Sequence, residues 1–127
     1  MKRIILHRQA LALAACLAAL PAAAQNHNDA RCMQASADTM ELLLMAGSCA
    51  PEQMGDKDTL QPGFAELNRR INACDSGRDA ERMLPALKQR FQNHPLNPER
   101  PDNTQARQAY CARAAEHAER ILKPYLP

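Results

Sequence analysis

The chain has 127 residues, with 16 Lys and Arg against 14 Asp and Glu and a net charge of +2 at pH 7. Lys2, Arg3 and Arg8 belong to an amino-terminal segment that is typical of a leader peptide. Without this segment, residues 25–127 carry 13 bases and 14 acids, a net charge of −1. This balance, with only two Phe, two Tyr and no Trp, argues against the basic or aromatic surface of a nucleic-acid-binding protein.

The first 24 residues are typical of a secretory signal peptide. Lys2 and Arg3 precede an apolar run from Ala10 to Leu20, and Ala22-Ala23-Ala24 follows as a cleavage site. The run has 11 residues, whereas crossing a bilayer takes roughly 20, so a cleaved leader is favoured over a transmembrane segment. We predict a mature chain that starts at Gln25 and forms a single domain over residues 25–127.

The leader also holds a second processing site. Leu13-Ala14-Ala15-Cys16 has the form of a lipoprotein cleavage site, at which Cys16 would carry a lipid anchor. Apolar residues continue past Cys16 as far as Ala24. This continuation favours cleavage after Ala24 and leaves the lipid anchor as the alternative.

The mature sequence predicts four helices and no strand. The first runs from Asp29 to Ala46, and Gly47 is a natural stop. Its apolar positions recur at helical spacing, namely Met33, Ala37, Met40 and Leu44. Its polar positions, Gln34, Asp38 and Glu41, lie on the opposite face.

The second helix follows a polar loop from Ser48 to Gln61, which has room for a short helical turn at Pro51. We expect this helix to begin near Pro62, because proline is tolerated in a first helical turn. The third runs from Arg78 to Asn93, with a kink at Pro85 that divides it into two pieces.

A proline-rich linker from Asn93 to Thr104 precedes the last helix. Pro95, Pro98 and Pro101 recur every third residue, which suits a polyproline II segment. We interpret it as a stiff connector, and a docking segment is the alternative. The last helix then runs from Asn103 to Lys123, so the predicted fold is all-α, a small irregular four-helix bundle.

Four cysteines remain in the mature chain: Cys32, Cys49, Cys74 and Cys111. An even number in a short exported chain implies disulfides, so we expect two of them and a periplasmic or secreted location. The cysteines are 17, 25 and 37 residues apart, without the close pairs of a structural zinc site.

Helix geometry favours the pairs Cys32–Cys74 and Cys49–Cys111. Cys32 and Cys49 lie near opposite ends of the first helix, too far apart for the ~7 Å that disulfide Cα atoms allow. In an up-down-up-down bundle the second helix returns Cys74 toward Cys32, and the fourth brings Cys111 to the side of Cys49. The long loop after Cys49 keeps one alternative open, in which Cys49 pairs with Cys74 and Cys32 with Cys111.

Residues that could carry catalysis are scattered. His117 stands beside Glu116 in the last helix, and Asp56 and Asp58 share one loop, but neither pair has the partners that an acid–base or cation site needs. We therefore expect no catalytic residue, no cofactor and no bound metal.

Methionine is the one residue type that suggests a metal. Thioethers favour Cu(I), and Met45 and Met54 lack an evident packing role in the predicted helices. A carrier should bring Met45, Met54 and a His within a few ångströms of one another. The predicted function is a non-enzymatic, exported protein-binding module of inhibitor, immunity or chaperone type, whose partner is another exported protein. The alternative is a periplasmic copper carrier that uses Met and His ligands.

Overall fold

The structure is a computed structural model that describes residues 30–74, 78–100 and 102–127. Every regular element in these ranges is helical, which confirms the predicted all-α class. Cys32–Pro127 form one compact unit. The predicted signal peptide over residues 1–24, including Cys16, and the expected mature start at Gln25 lie outside the described residues.

Five α-helices are described: α1 over residues 30–48, α2 over Lys57–Asn72, α3 over Arg78–Phe91, α4 over Thr104–Ala112 and α5 over Ala114–Leu122. Single turns of 3-10 helix at Pro51–Gln53 and Lys123–Tyr125 complete them. The turn at Pro51 was expected. The helix predicted over Asn103–Lys123 divides instead into α4 and α5, which meet at Arg113.

α1 does not stop at Gly47. The helix continues to residue 48, and the N–H of Cys49 still donates to the carbonyl of Met45 at 2.8 Å. Gly47 is exposed, and its φ is not positive, so it serves as an ordinary helical residue. Gly55 in the following loop has the left-handed φ of 89°, which favours glycine.

α2 begins five residues earlier than Pro62, at Lys57. Asp56 caps it, because its carboxylate accepts from the N–H of Asp58 at 3.0 Å and from the hydroxyl of Thr59 at 2.8 Å. Pro62 therefore lies inside the helix, where it removes one backbone hydrogen bond.

α3 is likewise one helix from Arg78 to Phe91 with Pro85 inside it, so the predicted division into two pieces was wrong.

The proline-rich linker folds into a series of hydrogen-bonded turns. N–H groups of His94, Asn97 and Arg100 donate to the carbonyls of the residues three positions earlier, at 3.0–3.1 Å. Pro95 and Pro98 each occupy the second position of such a turn, where a fixed φ near −65° is favourable. Polyproline II has no internal hydrogen bonds, so the extended connector that we expected is replaced by compact turns.

α1 lies between two groups of buried side chains. The main core gathers residues of α1, α2, α4 and α5, with Met45, Leu96 and Leu122 as its largest fully buried side chains. A second, smaller cluster joins Ala37 of α1 to Leu87 and Phe91 of α3. α2 also packs against α5 and the Lys123–Tyr125 turn.

Two disulfides tie α1 to the rest of the chain near each of its ends. Cys32 pairs with Cys74 at a Cα–Cα distance of 5.9 Å, and Cys49 pairs with Cys111 at 5.2 Å. The predicted pairing is confirmed, and the alternative pairing is excluded. Two intramolecular disulfides are consistent with an oxidising environment.

Candidate functional site

Glu41 lies at the centre of a polar cluster that joins three helices and the proline-rich segment. Its side chain, on α1, is 15% exposed. Oε1 accepts a hydrogen bond from the hydroxyl of Tyr110 at 2.6 Å and another from Nη2 of Arg120 at 3.0 Å. α1, α4 and α5 are therefore joined at one carboxylate oxygen.

His94 extends this cluster into the proline-rich segment. Its Nδ1 accepts from the N–H of Leu96 at 3.0 Å, so in the neutral ring the proton resides on Nε2. Nε2 is 3.5 Å from Oε1 of Glu41. This contact is too long for a full hydrogen bond, and Nε2, which is buried, has no other partner.

Aromatic rings pack around the same carboxylate. The ring centroids of Phe91 and His94 are 5.3 Å apart, and those of His94 and Tyr110 are 4.9 Å apart. Tyr110 also stacks on His117 with centroids at 4.1 Å and an interplanar angle of 11°. Tyr110 therefore lies between two imidazoles.

The pKa values of Glu41 and Tyr110 suit a structural role for these two residues. Burial alone would raise the pKa of Glu41, but the facing His94, Tyr110 and Arg120 outweigh it and lower the pKa to about 2. Burial and Glu41 raise the pKa of Tyr110 well above its usual range, and burial and Arg120 lower the pKa of His117. Glu41 stays ionised and Tyr110 stays protonated near neutral pH, whereas a general acid or base works best with a pKa near that pH.

The carboxylate of Glu116 binds Arg113 and not His117, its neighbour in sequence. Oε2 of Glu116 accepts from Nε and Nη2 of Arg113, at 3.1 and 2.8 Å. His117 is instead engaged through its ring with Tyr110.

A second carboxylate of α1 also points inward. Asp38 is 8% exposed and accepts a short hydrogen bond from the hydroxyl of Tyr125 and one of 2.9 Å from Nε2 of Gln34. The guanidinium of Arg70 lies over the Tyr125 ring, 4.8 Å from its centroid. The polar face predicted for α1 is thus partly buried, because two tyrosine hydroxyls satisfy its two carboxylates.

The methionines fall into two places. Met45 is 0% exposed in the main core, and Met54 packs against that core, so both have a packing role. Met33, Met40 and Met83 instead pack against the second cluster. In the part of the chain that the structure describes, no group of three or more His, Cys, Asp or Glu side chains is placed to hold a metal ion.

Beyond Arg31 in its first turn, α1 exposes no charged residue to solvent. Between Arg31 and Glu52 the only charged residues are Asp38 and Glu41, and both have partners inside the protein. A row of residues at spacings of three and four follows this side, and we call it the outer stripe of α1: Met33, Ser36, Met40, Leu43 and Gly47. Leu43 and Gly47 are exposed, whereas Met33 and Met40 are half-buried and pack against the second cluster. Leu43 is 68% exposed, the highest value among the exposed large hydrophobic side chains of the described residues.

The sequence analysis placed Met33 and Met40 on the apolar face, and both do pack against the second cluster. It placed Asp38 and Glu41 on the opposite, polar face and did not identify Leu43 as exposed. The absence of charge from residues 42 to 51 is the signal that could have indicated an exposed neutral surface.

Of the helices described here, none combines the length and the apolar character needed to cross a bilayer. No family model matches this chain, and the searches of curated proteins and of solved structures likewise return no match.

Proposed function

We propose that the chain is an exported, non-enzymatic protein-binding module of inhibitor, immunity or chaperone type, and that its binding surface is the outer stripe of α1. The observation that carries this proposal is the 68% exposure of Leu43 in the middle of an uncharged helix face. An exposed apolar helix face commonly marks an interaction site in a folded protein.

The frame behind the stripe supports this function. The two disulfides hold α1 near both ends, and the Glu41 and Asp38 hydrogen bonds fix its inner side. A rigid, preorganised surface loses little conformational entropy on binding. The carboxylates of Asp38 and Glu41 are engaged in hydrogen bonds within the protein, which suits a binding module better than an enzyme.

Site-specific photo-crosslinking tests the proposal. A benzoyl-phenylalanine at Leu43 should give a discrete crosslinked protein in the native exported fraction. The same probe at Gln89, an exposed residue of α3, is the control and should give none. Equal adducts at both positions, or no adduct at Leu43, would contradict a binding surface on α1.

Export rests on the leader and on the two disulfides. We expect the intact mass of the chain from the exported fraction to match residues 25–127 with four cysteines oxidised. A diacylated Cys16 at the amino terminus would replace cleavage after Ala24 with the lipid-anchor alternative.

A copper carrier remains the second candidate, and one observation favours it. Met33, Met40 and Met83 pack against one cluster, and thioethers bind Cu(I). This set differs from the Met45 and Met54 pair that the sequence suggested. Titration of Cu(I) against a chromophoric chelator should show one bound equivalent that is lost in Met33→Leu and Met40→Leu, and an unchanged chelator signal would remove this candidate.

A further inference from the structure

We propose that Met33, Met40 and Met83 form an oxidation site, and that their conversion to methionine sulfoxide releases α3 from α1. The oxidant is a small two-electron oxygen donor of the peroxide class. The inference goes beyond the proposed function and does not depend on it, since it concerns a contact between two helices of the chain rather than the exposed Leu43.

The three methionines gather at one contact. Of the six methionines in the chain, these three pack against the second cluster, which joins Ala37 of α1 to Leu87 and Phe91 of α3. Met45 belongs to the main core, and Met54 packs against that core. Methionine is therefore concentrated where α3 meets α1.

The spacing brings thioethers to this contact from both helices. On α1, Met33 comes four residues before Ala37 and Met40 comes three residues after it, so all three share one helix face. On α3, Met83 comes four residues before Leu87 and extends the row that Leu87 begins. The contact is lined by sulfur atoms on its α1 side and on its α3 side.

The contact depends on these methionines because its fully buried part is small. The buried side chains of the second cluster are Ala37, Leu87 and Phe91, and the partly buried ones packed against them are Leu44 and the three methionines. Leu44 packs against the main core as well. The methionines thus supply most of the partly buried apolar surface through which α3 is held on α1.

Partial exposure places these side chains within reach of a small oxidant. Met33, Met40 and Met83 are half-buried, whereas Met45 is 0% exposed. Oxidation of a sulfur-containing side chain follows its exposure. The three methionines of the contact therefore react before Met45 does.

The chemistry converts an apolar contact into a polar one. Hydrogen peroxide transfers one oxygen atom to the thioether sulfur, which is oxidised by two electrons to the sulfoxide, while the O–O bond breaks and water is released. The sulfoxide is polar, and the apolar side chains of the second cluster offer its oxygen no hydrogen-bond donor. Burial of an unpaired polar group is unfavourable, so the sulfoxide favours the separation of α3 from α1.

Hydrogen peroxide treatment of the full chain, purified from the exported fraction with both disulfides formed, tests the proposal. Peptide mass spectrometry should find oxygen on Met33, Met40 and Met83 before Met45. Amide hydrogen exchange along α3 should then become at least about tenfold faster, because the helix opens more often, whereas exchange in α5 should stay the same.

Leucine variants separate the site from other effects of peroxide. Leucine has a similar volume and cannot be oxidised, so Met33→Leu, Met40→Leu and Met83→Leu combined should fold normally and keep the exchange of α3 unchanged after treatment. Each single variant should remove part of the response, which gives the same answer should the triple variant fold poorly. Met54→Leu is the matched control: Met54 is also half-buried but packs against the main core, and its replacement should leave the response intact.

Three results would overturn the proposal. The first is an α3 that exchanges at its original rate although all three methionines carry oxygen. The second is oxidation of Met45 as fast as that of the three methionines. The third is a response that disappears in Met54→Leu, since the sensitive contact would then lie in the main core.

Discussion

Two tyrosines hold two carboxylates of α1 inside the protein, and the two pairs differ in their additional support. The hydroxyl of Tyr110 donates to Glu41, which also accepts from Arg120. The hydroxyl of Tyr125 donates to Asp38, whose other hydrogen bond comes from the neutral Gln34. Loss of the tyrosine hydroxyl should therefore matter more at Asp38 than at Glu41.

Tyr125→Phe should lower the free energy of unfolding by about 1–3 kcal/mol, the cost of leaving a buried carboxylate short of a donor. Tyr110→Phe is the matched change and should cost less, because Arg120 still compensates Glu41. Urea denaturation of both variants at pH 7 measures the difference. A larger loss in Tyr110→Phe would show that the guanidinium does not support Glu41.

Glu41 also gives a prediction about acid stability. Its pKa is about 2 in the folded protein and 4.5 ordinarily, so its contribution to stability is complete above pH 4.5 and is lost as pH falls toward 2. Glu41→Gln should flatten this part of the stability curve, measured as the free energy of unfolding between pH 6 and 2.

Glu66 is the control for that experiment. Arg69 and Arg70 lower its pKa to about 2 as well, but this ion-pair network lies in solvent, where such pairs contribute little. Glu66→Gln should therefore change the acid limb less than Glu41→Gln does, and the reverse order would contradict a structural role for Glu41.

At the scale of the elements, two helical glycines face different surroundings. A Cβ at Gly63 of α2 would lie 3.1 Å from Cβ of Leu122 and 3.4 Å from Cδ2 of Leu126, so the close approach of α2 and α5 depends on this glycine. At Gly47 of α1 nothing lies within 4 Å.

Gly47→Ala should stabilise the protein by roughly 0.5–1 kcal/mol, which is the helix-propensity gain of alanine. Gly63→Ala should destabilise it, because the steric conflict between α2 and α5 outweighs the same gain. Thermal unfolding of the two variants at low protein concentration decides the matter. A stabilised Gly63→Ala variant would mean that α5 can move away from α2 without a loss of packing energy.

The periodic apolar positions predicted the helical regions, although α4 and α5 were expected as one helix. The geometry of α1 excluded Cys32–Cys49 and favoured the observed cysteine pairs over the one alternative left open. Proline misled the boundaries: Pro62 was taken for a helix start, although Asp56 was a better cap, and Pro85 was taken for a break. Proline costs a helix one hydrogen bond and some steric strain, and tertiary packing can compensate that cost.

The inward turn of Asp38 and Glu41 could not be predicted from α1 alone. Carboxylates are normally placed in solvent, and their burial here depends on hydroxyl groups 69 and 87 residues further along the chain. The break between α4 and α5 at Arg113 is not marked by a glycine or a proline in the sequence. The break lies beside Ala115, whose Cβ is 3.2 Å from the position of a Cβ at Gly55. The loop between α1 and α2 therefore packs closely against the junction of α4 and α5.

At the scale of the whole molecule, the two disulfides differ in their environments. Cys49 and Cys111 are both buried and belong to the main core. Cys74 is half-exposed, and neither it nor Cys32 is part of a core cluster. Attack by an external thiolate requires access to a sulfur atom.

Limited reduction of the folded chain should therefore open Cys32–Cys74 first. Alkylation and peptide mapping after a short treatment with dilute reductant should label Cys32 and Cys74 well before Cys49 and Cys111. The same treatment in denaturant is the control and should label all four alike. Early labelling at Cys49 would indicate that the main core opens more easily than the surroundings of the Cys32–Cys74 disulfide.

The pairing also has a temporal consequence. It joins Cys32 to Cys74 and Cys49 to Cys111, whereas a chain that emerges amino-terminus first presents Cys49 to Cys32 before Cys74 has emerged. Thiols oxidised in order of appearance would produce the wrong pair, which must then be exchanged. We expect a helical α1 to prevent this error, because 17 residues at 1.5 Å per residue place the Cα atoms of Cys32 and Cys49 ~25 Å apart. We therefore expect that α1, if it becomes helical before oxidation, directs Cys32 and Cys49 away from each other and toward their later partners.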